Sequence, residues 1–283
     1  MEDKIYARPD RLLALAEGPR ALSEIASLMS TAPFLVNARR GDGHPVLVMP
    51  GFGASDRSTG VLRGFLNSRG YEAQPWKLGT NLGPAMPELA VRLGGRLDEV
   101  FEENNGRKVS LVGWSLGGVY SRLLAQLYPD KVRQVITLGS PFGGSPRSTN
   151  AYRFIKMMSD TPIEQMPSNH LRLLAGEALN NIPSTAIFSK TDGIVPWQIA
   201  TQPPSDIAEN IEVYTSHLGL GINSAVLYAV ADRLGNPEDD WQPFKRTGWK
   251  RFVYGPARLD STGRSRSGRS RSQASTNKTC QPT

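Results

Sequence analysis

The chain has 283 residues, a formal net charge of +7 and 39% apolar residues. That length suits one large domain or two small ones, and no apolar run nears the roughly 18 residues that span a bilayer. A lone cysteine, Cys280, excludes a disulfide within the monomer and a cysteine metal cluster, and three histidines (His44, His170, His217) argue against a histidine-rich metal site.

The positive charge is unevenly placed. From Arg258 to Thr283 six cations stand against one anion, Asp260, so that segment carries +5 and residues 1–257 only +2. Nucleic acid is therefore not an expected partner of the folded part. The tail is Ser, Arg and Gly with almost no apolar residue, which predicts disorder. Its Arg-Ser alternation leaves contact with RNA or anionic lipid open, a solvated tail being the simpler reading. Met1-Glu2-Asp3-Lys4 is charged and no apolar stretch follows it, so no secretory signal is read and a cytoplasmic location is the expectation.

In chain order, residues 9–32 predict one or two short helices, punctuated by Gly18-Pro19, with Leu12, Leu15, Leu22, Ile25 and Leu28-Met29 as apolar positions. These read as a cover over a main domain. From His44 onward strands and helices alternate. Val46-Leu47-Val48-Met49 is a short apolar run ended by Pro50-Gly51, as in a strand buried on both faces. A helix over 58–69, a strand over 71–76 and an amphipathic helix over 86–104 follow. Then come a strand at 109–112, a helix over 116–128 and a strand at 135–138.

Residues 145–182 break the rhythm. They are polar, contain Pro146, Pro162 and Pro167, and have weakly helical patches around 150–159 and 168–180, which reads as a lid between strands. Strands resume at 186–188 and 211–214, and a last helix spans 223–234. The predicted organisation is a helical cover (1–43), an α/β domain (44–257) and the basic tail (258–283). Such alternation implies a mostly parallel central sheet flanked by helices, with ligands beyond the carboxyl ends of its strands.

Gly113-Trp114-Ser115-Leu116-Gly117 is the only Gly-x-Ser-x-Gly in the chain. The bare pattern is weak, but here it directly follows an apolar strand and directly precedes a helix, as a nucleophile elbow requires. A strand turning at once into a helix strains the serine, and flanking glycines let neighbouring chain pass without Cβ clashes. The hydroxyl then stands at a helix N-terminus, where amide N–H groups favour negative charge.

A serine hydroxyl is almost never ionised at neutral pH, so it needs a base. His217 follows the strand at 211–214 and precedes the last helix, where the order Ser, acid, His places it. His44 precedes the first strong strand and is expected at the opposite edge of the sheet, and His170 falls in the lid. The acid should follow the strand at 186–188, which selects Asp192 in Thr191-Asp192-Gly193, with Asp206 second. Its task is to hold the imidazole in one tautomer and to stabilise the imidazolium. Two backbone donors should meet the developing oxyanion: the N–H of Leu116, and one from Pro50-Gly51-Phe52-Gly53. Phe52 is chosen there, Gly53 being one residue away. Trp76, Trp114, Phe142 and Trp197 adjoin strand ends and are candidates to line an apolar acyl pocket.

With these residues in place, the chain resembles bacterial α/β-hydrolases of the triacylglycerol esterase/lipase type over about 44–235. Gly139-Ser140-Pro141-Phe142-Gly143-Gly144 and Ser216–Gly221 are in the same style. Two departures stand out: Pro50-Gly51 where many lipases have His-Gly, and Phe142 where many have a histidine. The resemblance implies the α/β-hydrolase fold and cofactor-free hydrolysis of a small-molecule ester or lipid. Spacing alone gives acyl transfer, so a thioesterase, lactonase or acyltransferase on the same triad stays open, as does a hydrolase-fold binding module without catalysis.

Overall fold

The computed structural model describes residues 4–152 and 169–256. Six strands form one sheet in the order β2-β1-β3-β4-β5-β6, and every neighbouring pair is parallel. They are β1 (Pro45–Met49), β2 (Glu72–Pro75), β3 (Val109–Trp114), β4 (Val132–Leu138), β5 (Ser184–Phe188) and β6 (Ala208–Glu212). Parallel neighbours need crossovers. The first three carry α3 (Gly60–Ser68), α4 (Leu89–Glu103) and α5 (Leu116–Leu127), and a later helix, α7 (Ser224–Leu234), follows β6.

All five residues of β1 are buried, as expected of a strand covered on both faces. Its side chains alternate between two layers. Val46 and Val48 pack with Leu62 and Leu66 of α3 and Val226 and Val230 of α7. Leu47 and Met49 pack with Leu93 and Leu97 of α4 and Tyr120 and Leu124 of α5. Each such side chain contributes roughly 1.5–3 kcal/mol on burial. The helices thus hold both faces, leaving the carboxyl ends of the strands to build a site.

β6 begins three residues earlier than its apolar run suggests. Its first residues, Ala208-Glu209-Asn210, read as polar loop, but side-chain pairing satisfies them. Asn210 accepts the Gln202 N–H at 2.9 Å and donates to the Gln202 carbonyl at 2.7 Å, and Glu209 pairs with Arg233 at 2.9 Å. Asp206, the second candidate acid, is exposed and precedes β6, at the sheet end opposite the candidate site.

Between β4 and β5 the chain departs from strand–helix alternation, where the lid is expected. The described parts are a 3₁₀ turn at Pro146–Ser148 and α6 (Asn169–Gly176). Residues 153–168, including most of the first weakly helical patch, lie outside the described residues, as does the tail from 257 onward. The end of α6 is fixed to α5 by Arg122, whose buried guanidinium donates to the carbonyls of Ala175 (2.7 Å) and Glu177 (2.6 Å) and to Gln202 Oε1 (2.8 Å).

The N-terminal segment forms α1 (Arg11–Leu15) and α2 (Glu17–Leu35). Pro19 sits in the first turn of α2, where a missing N–H has no helical acceptor to lose, so Gly18-Pro19 opens the helix instead of interrupting it. α2 packs on the turn after β6 and on α7. The face it uses is not the expected one. Of the apolar positions read from the sequence, only Leu28 packs against the core, whereas Leu12, Leu15, Leu22, Ile25 and Met29 point outward.

Candidate active site

Ser115 stands between β3 and α5 at φ 53°, ψ −121°, a left-handed-side conformation that a side chain adopts at a cost of about 1–3 kcal/mol. The site over-determines it. The Ser115 N–H donates to the Leu138 carbonyl at 2.8 Å, and the motif glycines are required by close approach. A Cβ on Gly113 would lie 2.4 Å from the backbone of Gly117, and one on Gly117 would lie 2.4 Å from the Met49 carbonyl oxygen.

Asp192 follows β5 and His217 follows β6, and the structure brings both to Ser115. His217 Nδ1 lies 2.6 Å from Asp192 Oδ2, and His217 Nε2 lies 3.0 Å from Ser115 Oγ. A carboxylate only accepts, so Nδ1 carries the proton and Nε2 faces the hydroxyl as acceptor. The other oxygen of Asp192 accepts the N–H groups of Ile194 (2.8 Å) and Val195 (2.7 Å), which fixes the carboxylate. Burial disfavours the imidazolium, but the charge and hydrogen bond of Asp192, with the more distant charge of Glu17, outweigh it and raise the His217 pKa above its ordinary value.

The loop after β1 lies against the nucleophile, since a Cβ on Gly51 would be 3.2 Å from Ser115 Cβ. Asn81 fastens that loop: its side-chain amide N–H donates to the Pro50 carbonyl at 2.9 Å, and its backbone carbonyl accepts the Gly53 N–H at 2.8 Å. The Phe52 and Leu116 side chains both border Gly83. β1 and β3 are neighbours from which the chain leaves toward opposite edges, the switch point where open α/β sheets form their crevice.

Of the four candidate pocket aromatics, Trp114 meets His217 directly. Its indole N–H donates to the His217 carbonyl at 3.1 Å. Trp76 is fully buried in the core, Phe142 is buried under the Arg122 guanidinium, and Trp197 packs in a satellite cluster with Phe188. The side chain of His170 lies outside the described residues.

His44 is at the opposite end of the sheet, not its opposite edge, because β1 is an interior strand. It builds a look-alike of the site: His44 Nδ1 is 2.5 Å from Asp42 Oδ1, and Nε2 is 2.9 Å from Ser110 Oγ. Yet Ser110 is 0% exposed, lies within β3 and not at an elbow, and so presents no hydroxyl to a substrate.

Sequence reading missed the role of α2. Glu17 is buried, and its Oε1 accepts the N–H groups of Gly193 (2.7 Å) and His217 (3.0 Å) while Oε2 accepts that of Leu218 (3.0 Å). Arg20 donates to the Thr191 carbonyl at 2.6 Å. Glu24 accepts the Ser216 N–H at 2.8 Å and bonds Thr215 Oγ1 and Asn223. The available signal was Glu17, Arg20 and Glu24 on one helical face.

The profile of the alpha/beta hydrolase fold family matches residues 46–174, a stretch that includes Ser115. With the six-stranded parallel sheet, this gives the chain the α/β-hydrolase fold. Among solved structures it is similar to the monoacylglycerol lipase of Paleococcus ferrophilus, at 16% identity and a TM-score of 0.48, over 69% of this chain and 96% of that one. It is also similar to the mature lipase BlEst2 of Bacillus licheniformis (18%, TM-score 0.44, 69% and 91%). A third is MGS-MChE2, an alpha/beta hydrolase enzyme from lagoon-sediment metagenome (17%, TM-score 0.45, 68% and 90%). Likeness at this level decides nothing about chemistry. No curated protein matches the sequence.

Proposed function

We propose that the chain hydrolyses carboxylic esters through an acyl-enzyme on Ser115, as a serine esterase or lipase. The observation that carries this reading is the continuous Ser115–His217–Asp192 hydrogen-bond chain, at 3.0 and 2.6 Å, on a strained elbow. Ser115 Oγ attacks the ester carbonyl while its proton passes to His217 Nε2. Asp192 stabilises the imidazolium, which returns the proton to the leaving alcohol. Water then attacks the acyl-enzyme, giving its proton to Nε2, and the acid departs as Ser115 recovers its hydrogen.

The backbone N–H groups of Phe52 and Leu116 receive the oxyanion; losing one such donor typically costs about 3–4 kcal/mol. The substrate class is a small-molecule ester or lipid, and no cofactor takes part.

Hydrolysis of p-nitrophenyl esters from acetate to palmitate tests the reading. Wild type should turn over, and Ser115→Ala should fall by several powers of ten, as triad knockouts do. Equal turnover by both proteins would overturn it. Thioester or lactone turnover far above ester turnover would keep the triad but move the substrate class.

A further inference from the structure

The second oxyanion donor is asked of a loop that cannot hold itself. From Pro50 to Ala54 no side chain carries a polar atom, and Pro50 has no N–H. Yet a donor lowers the barrier only if it is already aimed when the charge develops. The peptide units of this loop must therefore be fixed from outside it.

Residues 51–54 form a tight turn in which the Gly51 carbonyl accepts the Ala54 N–H at 3.2 Å. Gly53 takes the third place at φ 71°, the positive value that a type II turn demands there. In a planar trans peptide the carbonyl and the N–H point opposite ways. The bond from Gly51 to Ala54 thus directs the Phe52 N–H away from the turn. Pro50 is seated on the elbow, its carbonyl oxygen 2.7 Å from where a Gly117 Cβ would stand.

Asn81, in the loop after β2, grips this turn on both sides of Phe52 and is 0% exposed. Its side-chain N–H donates to the Pro50 carbonyl at 2.9 Å. Its backbone carbonyl accepts the Gly53 N–H, and its own N–H donates to the Ala54 carbonyl, both at 2.8 Å. One residue therefore holds the peptide units immediately before and after the one that carries the Phe52 N–H. Rotation of the unit between Phe52 and Gly53 is what separates a type II from a type I turn, and Asn81 occupies the N–H that such a rotation would carry off. The side-chain oxygen of Asn81 accepts the Gly83 N–H at 3.0 Å, so the amide cannot swivel without breaking a second bond. The arm that carries Asn81 is tied back in turn, since Asp56 accepts the N–H groups of Trp76 (3.0 Å) and Lys77 (3.2 Å).

We propose that Asn81 is the positioning residue of the oxyanion hole, acting through the turn to keep the Phe52 N–H aimed at the developing charge. This rests on the ester-hydrolase reading, with Ser115 as nucleophile and Phe52 as donor.

Asn81→Ala removes the grip on Pro50 and leaves the triad intact. On p-nitrophenyl butyrate, kcat should fall ten- to about a hundredfold while KM changes less than about twofold. An alkyl trifluoromethyl ketone reads the donor separately. Ser115 Oγ adds to its carbonyl carbon, the hydroxyl proton passes to His217, and the ketone oxygen becomes the oxyanion. Its inhibition constant should rise by about the factor by which kcat falls, and the acid limb set by His217 should stay at its wild-type pH. A lower melting temperature with kcat and the ketone constant of the folded protein unchanged would overturn the proposal, as would a loss confined to KM. Should Asn81→Ala fail to fold, Asn81→Ser, which keeps a polar group there, decides by the same readouts, and failure of both to fold would overturn it too. A wild type that turns over no ester would sink the ester reading instead. Ketone binding weakened by the Asn81 variant would then still uphold the role of Asn81, and a ketone that wild type does not bind would end both.

Discussion

The carboxylate of Glu17 accepts the backbone N–H of His217 at 3.0 Å, and the same oxygen accepts that of Gly193 at 2.7 Å. One buried group on α2 is therefore tied to the base loop and the acid loop at once. A glutamine at this position keeps one acceptor oxygen but turns an amide N–H toward one of the three donors it must satisfy. Leaving a buried donor unpaired costs about 1–3 kcal/mol, and misplacing a catalytic loop costs up to about a hundredfold in rate. Glu17→Gln should lose stability in that range by chemical denaturation, and ten- to about a hundredfold in kcat/KM on a p-nitrophenyl ester. Unchanged kinetics would remove Glu17 from the site.

The pH profile follows from His217. The base must be neutral to accept the Ser115 proton, and its pKa is raised. On the proposed mechanism, activity should therefore be lost as pH falls through a value above the ordinary histidine pKa of about 6.5. Glu17→Gln removes one of the negative charges that favour the imidazolium, so the acid limb of kcat/KM should move to lower pH. A merely structural role would lower the plateau and leave the limb where it was.

The two Ser–His–Asp arrangements should respond oppositely to removal of the hydroxyl. Ser115→Ala should abolish the proposed turnover, whereas Ser110→Ala should retain it and lose stability through the severed bond to His44. That bond is buried, so a loss of about 1–3 kcal/mol is expected in a denaturant titration. A Ser110→Ala variant as inactive as Ser115→Ala would mean that the distinction by exposure is wrong.

Arg122 offers a test of the fastening between α5 and α6. Its buried guanidinium bonds the Ala175 and Glu177 carbonyls and Gln202 Oε1, and burial lowers its pKa to about 10, so it stays charged at neutral pH. Arg122→Met should strand the Ala175 and Glu177 carbonyls and destabilise by about 2–5 kcal/mol. Ester-chain preference should change as well, because the end of the insertion is released from the helix that starts at the elbow. A variant with wild-type melting and selectivity would show that the bonds are incidental.

How much of this was legible in the sequence differs by residue. Ser115, Asp192 and His217 each follow an apolar strand in the expected order, and periodicity alone located those strand ends. The glycines of the elbow were readable for the same reason. α2 was not, because charged residues at helical spacing ordinarily mark the solvent face and apolar ones the core. What reverses the helix is a tertiary demand: the N–H groups of Gly193, Ser216, His217 and Leu218 lie in turns without strand partners and need acceptors. Nothing local announces that need. The start of β6 was hidden likewise, since Asn210 becomes a strand residue through Gln202. For Trp76 and Trp197, proximity to a strand end was mistaken for proximity to the site.

The bonds from Glu17 to Gly193 and His217 join positions 176 and 200 residues apart. α2 leaves the ribosome well over a hundred residues before the turns whose N–H groups it accepts. Until β5 and β6 emerge, the helix has no polar turns to cover and offers its apolar side to whatever is near. Nascent chains of this protein should thus expose the apolar side of α2 before the triad can assemble, and removal of α2 should impair the site although Ser115 lies about a hundred residues further along the chain.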